Sequence, residues 1–245
     1  MVSLAWLYLL HSRASMPDMD TARMDMSAMN MPGMVMPGID EWGATTILLL
    51  FAMWVVMMVA MMVPSAAPMV LTFLNLNQRR RTTGRPLMPV SIFLVGYLAI
   101  WTAFSAVATL AQWGLHHAAL LSSTMATTSP ALNGGLLIAA GVFQWTPLKR
   151  TCLNSCRSPI SFLMSEWRDG TAGAFVMGLR YGAYCVGCCW ILMALLFVAG
   201  VMNLFWVASI ALFVMAEKVW ANGELLRHVA GITLVTAGVA LVARV

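Results

Sequence analysis

Five cysteines fall in two groups, Cys152 with Cys156, and Cys185 with Cys188 and Cys189. On a helix, residues i, i+3 and i+4 share a face. Cys152-Leu153-Asn154-Ser155-Cys156 therefore presents two sulfurs side by side, and Cys185-Val186-Gly187-Cys188-Cys189 presents three. Gly187 leaves room for another backbone to approach the second face. Thiolate sulfur is a soft donor that selects Cu(I), zinc or iron–sulfur clusters. Cysteine also packs as a small hydrophobe. All five gathered on two helical faces point instead to a soft-metal site. A thiol redox relay, with Cys185 and Cys188 as a CxxC pair, stays open beside that reading.

Thioethers are the second donor type. Met16, Met19, Met24, Met26, Met29, Met31, Met34 and Met36 alternate with Pro, Gly, Asp and Ser, with no apolar period. Such a segment cannot pack a core and reads as flexible. Thioethers select Cu(I) and bind it without losing a proton; silver suits the same donors. A low-complexity linker is the plain alternative, but it does not call for methionine at this density. Further on, Met53, Met57 and Met61 recur at i+4, with Met58 and Met62 alongside, and Pro64 and Pro68 follow. Proline removes a backbone donor and kinks or breaks a helix, and in membranes such breaks line cavities. Met57, Met61 and Met62 are thus candidate copper ligands on a thioether ladder. The same residues would equally fill an irregular helix interface.

These donors need elements to hold them. Of 245 residues, 61% are hydrophobic and 9% charged, with a mean hydropathy of +0.83. A soluble domain carries about 25% charged residues, so that class is excluded, as are disorder and a disulfide-dense scaffold. Ten tryptophans suit anchoring at the headgroup level. Apolar stretches at 43–76, 88–115, 131–147, 172–200, 201–216 and 226–243 approach the about 20 residues a span needs. The fold class is an all-α polytopic transmembrane bundle of six helices plus a short apolar N-terminal segment. Gly200 to Asn203 is the one break between the fourth and fifth spans and predicts a tight hairpin. Residues 1–10 read as a truncated helix or an interfacial anchor, 11–41 as the flexible methionine-rich segment, and 42–245 as the transmembrane domain.

Eleven of the fourteen Lys and Arg residues fall on one side of that bundle: Arg79, Arg80, Arg81, Arg85, Lys149, Arg150, Arg157, Arg168, Arg180, Lys218 and Arg227. The positive-inside rule makes that side cytoplasmic. The methionine-rich segment and both termini of the bundle then face the periplasm, and the cysteines lie toward the reducing side, which disfavours disulfides. The basic residues serve topology rather than a nucleic-acid partner. Glu217 and Lys218 are expected to pair with each other at the interface, and His116 with His117 to sit on the outer side. No HExxH, phosphate-cradling glycine loop or Ser/His/Asp arrangement is present, so no catalytic residue and no enzyme class are assigned.

Gln144 to Pro159, together with Tyr181 to Met193 and Met61 to Met69, resembles a bacterial family of predicted metal-binding integral membrane proteins, a domain of unknown function. The resemblance spans about 43–220 and implies Cys152, Cys156, Cys185, Cys188 and Cys189 as metal ligands. The family's CxxxC block frequently carries a histidine, where this chain has Asn154 and Ser155. The expected function is binding and handing on a soft metal, Cu(I) first, with lipid, the ion and a periplasmic or membrane protein as partners. A subunit of a copper-containing membrane oxidase, a membrane thiol-disulfide oxidoreductase and a purely structural subunit are the alternatives.

Overall fold

The computed structural model describes residues 43–81, 89–118, 120, 127–201, 203–220 and 223–244. The segments 1–10 and 11–41, and the loop holding Arg85, lie outside the described residues. The described chain is helical: α1 Ala44–Arg81, α2 Val90–His117, α3 Pro130–Phe143, α4 Pro147–Arg157, α5 Pro159–Glu166, α6 Gly170–Ala194 with a last turn Leu196–Ala199, α7 Leu204–Val219 and α8 Gly223–Val242.

Local chemistry sets these boundaries. Pro130, Pro147 and Pro159 open three helices at the position where a missing N–H costs nothing. Ser129 and Thr146 cap α3 and α4 by accepting from the Leu132 and Lys149 backbone N–H groups. Gly200, at φ 86°, stops the α6 continuation in a conformation that favours glycine. Asn203 then caps α7.

Small residues set the packing, as is usual between apolar helices in membranes. A Cβ on Gly178 would collide with the Phe93 carbonyl, and one on Gly96 with the Phe175 carbonyl, so α2 and α6 touch backbone to backbone. Gly134, Gly141 and Gly238 do the same for α3 and α8, where a Cβ on Gly141 would lie 2.7 Å from the Gly231 carbonyl oxygen, and Gly231 itself makes room for the Trp145 ring. The amphipathic α4 lies on α6, and α7 on α1 and α8.

Among the described residues, four helices are long and apolar enough to cross a membrane: Ala44–Gln78, Val90–His117, Gly170–Ala199 and Gly223–Val242. This corrects the six-span expectation. The third stretch ends at Phe143 after 14 residues, about 21 Å of helix against a hydrocarbon core of about 30 Å. The fifth, α7, has 16 residues. Nor do Pro64 and Pro68 break α1, which stays helical through both. After Gly200, α7 packs more on α1 than back along α6, so the tight hairpin is a turn without a paired helix interface. Lys149, Lys218 and Arg227 are buried, so three of the cations counted as loop residues belong to the packed interior.

Candidate metal centre

Helical periodicity turns Cys185, Cys188 and Cys189 toward the interior half-way along the Gly170–Ala199 helix, where all three are buried. The thiols of Cys188 and Cys189 donate to the Cys185 carbonyl at 3.0 and 2.9 Å. From α4, the buried Cys156 thiol engages those of Cys185 and Cys188. Cys152, one turn earlier, lies against Gly187: a Cβ there would sit 2.8 Å from its sulfur. The glycine thus admits a side-chain sulfur rather than a backbone. All five cysteines are free thiols, and the folding of α4 onto α6 joins groups about thirty residues apart in sequence.

Cys185 is the hub of this arrangement. Its Sγ accepts from Lys218 Nζ at 3.0 Å and lies 3.2 Å from the Tyr97 hydroxyl. Lys218 Nζ also donates to Ser65 Oγ at 2.9 Å. The Tyr97 hydroxyl donates to the Met62 carbonyl at 3.1 Å, and Ser65 Oγ to the same oxygen at 2.9 Å. Tyr97 packs against Tyr181, which packs against Phe162, with ring centroids 5.6 Å apart in both pairs. These rings wall off one flank of the thiols. A recess of about 220 Å³, lined among others by Ser155, Phe162 and Tyr184, opens beside them.

Burial also changes acidity. Cys156 is held well above the usual thiol range, first by its hydrogen bonds with Cys185 and Cys188 and then by burial. Cys152 is raised by burial, with Cys188 adding to it. Glu217 is raised by burial against the opposing pull of Lys149.

Met57, Met61 and Met62 are buried on α1. Met62 joins the thiol group through its backbone carbonyl, not its sulfur. The expected pairing of Glu217 with Lys218 is corrected. Glu217 binds Lys149, with Nζ 2.9 and 2.8 Å from its two oxygens, and Gln144 accepts from the same ammonium. Lys218 turns instead to Cys185. At the end of α2, His117 meets both Trp113 and His116 edge-on. Lys218, closing an apolar run, was visible in the sequence with the wrong partner, whereas nothing in the sequence separates Tyr97 and Ser65 from other core residues.

Among the described residues, no three His, Cys, Asp or Glu side chains stand ready as a metal site. The donor set itself, thiols with methionines nearby, is chemically soft and fits Cu(I) better than a hard ion. A family model described as PpoB2, copper chaperone, matches residues 51–241. That stretch holds all five cysteines, Met53 to Met62 and Lys218, and leaves residues 16–36 outside. No curated protein and no solved structure matches the chain.

Proposed function

The chain belongs to the PpoB2 copper-chaperone family, and on that premise we propose that it is a bacterial inner-membrane protein carrying Cu(I) as cargo on sulfur ligands. The observation that carries the reading is the meeting of Cys156 from α4 with Cys185 and Cys188 from α6 in a buried position. Cu(I) replaces thiol protons, so binding requires the side chains to rotate from the Cys185 carbonyl toward the ion. Cys185 and Cys156 are the primary ligands, and Cys188, Cys189 and Cys152 are the sulfurs to which the ion can shift. Exchange between neighbouring thiolates keeps copper bound at every stage of a hand-over, which is what a carrier requires. The methionine-rich segment collects Cu(I) on the periplasmic side, and Met57, Met61 and Met62 lie on its route inward.

Metal content decides the matter. The purified chain, loaded with Cu(I) under anaerobic conditions and desalted, is compared with the Cys185→Ser/Cys188→Ser/Cys189→Ser variant. Wild type should retain copper and the variant lose it. Equal copper in the two proteins overturns the site.

A further inference from the structure

Lys218 is buried, yet among the described residues no carboxylate pairs with it, because neighbouring Glu217 is committed to Lys149. Its ammonium faces Ser65 Oγ at 2.9 Å and Cys185 Sγ at 3.0 Å, and the Tyr97 hydroxyl is on the same sulfur at 3.2 Å. A buried ammonium without an anion is costly, and neutral hydroxyl and thiol groups offset only part of that cost. An anion belongs beside it.

We propose that Lys218 is the fixed counter-charge of the cargo site, matched to a monovalent ion held by two thiolates. The proposal rests on the copper-site reading above. When Cu(I) binds, the Cys185 and Cys156 S–H bonds give way to S–Cu bonds, and the two protons leave to solvent. Copper stays Cu(I), with no change of oxidation state. Two thiolates and one Cu(I) carry a net charge of −1, which the ammonium beside Cys185 brings to zero. A divalent ion on the same two thiolates would leave the pocket at +1, and neutrality would then need a third thiol to give up its proton. Lys218 is therefore a positioning residue that tunes selectivity through charge. It acts on the ion through Cys185, as partners outside the ligand sphere do in many metal sites. Ser65 and Tyr97 hold the ammonium and the sulfur in register.

The full chain in detergent tests this by competition with a chromophoric Cu(I) chelator without oxygen, and by Zn²⁺ titration in parallel. Lys218→Met should weaken Cu(I) binding about 10- to 100-fold, the range typical for such partners, while Zn²⁺ binding is not weakened. Lys218→Arg, which keeps the charge, should stay near wild type. Wild-type Cu(I) affinity in Lys218→Met overturns the proposal, as does equal weakening for Cu(I) and Zn²⁺, which marks a merely structural role. If Lys218→Met does not fold, moving the charge to the adjacent side chain with Ser65→Lys/Lys218→Ser should restore Cu(I) binding. A folded swap variant that leaves Cu(I) unbound overturns it. Failure of wild type to hold Cu(I) would instead bring down the underlying site along with this inference.

Discussion

At the scale of single residues, the thiols are not equivalent. Cys156 is engaged by two other thiols, whereas Cys152, also buried, contacts Gly187. Cys156→Ser should therefore lower Cu(I) affinity by about tenfold or more, and Cys152→Ser by much less, in the same chelator competition. Gly187→Ala probes the Cys152 contact directly. Its Cβ would lie 2.8 Å from Cys152 Sγ, and overpacking of this kind costs about 1–3 kcal/mol, against a gain of about 1 kcal/mol in helix propensity. A lower thermal midpoint in Gly187→Ala, recovered in Gly187→Ala/Cys152→Ala, is the expected result. The spacing of the cysteines made their shared faces legible in the sequence. The role of Lys218 was not legible. Adjacent helical residues point in different directions, so Glu217 and Lys218 cannot serve as each other's partner, and which groups they meet depends on α4, α1 and α6.

At the scale of elements, α4 is positioned by a clasp. Lys149, near its start, reaches Glu217 at the end of α7, while Arg157, at its other end, donates to the Trp220 carbonyl. Removing one partner of a buried pair leaves an uncompensated charge. Glu217→Gln should cost about 3 kcal/mol, and the apolar pair Lys149→Met/Glu217→Leu should recover most of it, as read by denaturation in detergent. The α2–α6 contact is a second control point. Gly178→Ala drives a Cβ into the Phe93 carbonyl, a rigid backbone atom, so a loss of about 3 kcal/mol is expected. The displaced α2 also takes Tyr97 away from Cys185, and weaker Cu(I) binding should accompany the lost stability. The long helices were readable from the apolar runs, whereas α5 lies in none of those runs and α4 almost wholly outside them. Whether a run was long enough to cross was decided by capping and proline placement at Thr146 and Pro147, which end one helix and begin another within the expected third span.

At the scale of the whole molecule, α1, α2 and α6 pack together with α7 so that thiols, hydroxyls and an ammonium meet within an otherwise apolar interior. Arg150 is 58% exposed and sits at the start of α4. In a background with all five cysteines replaced, Arg150→Cys should be labelled by an impermeant maleimide only from the cytoplasmic side. Labelling from the periplasm inverts the proposed orientation. Deleting residues 16–36 should alter copper uptake or tolerance only at limiting or toxic copper, since the matched family region begins at residue 51. Composition and the long continuous apolar runs made helices of membrane-spanning length the expectation, since such runs lack the alternation of a barrel strand, and the described chain does hold apolar helices of that length. Helical periodicity alone put Cys152 with Cys156, and Cys185 with Cys188 and Cys189, on common faces. Only the tertiary structure decided that the two faces meet, that α1 runs unbroken past Pro64 and Pro68, and that a lysine and a tyrosine attend one sulfur. These are contacts between residues far apart in the chain. They follow from how glycines let α2 and α6 close and how a buried ion pair seats α4, and no local pattern encodes either.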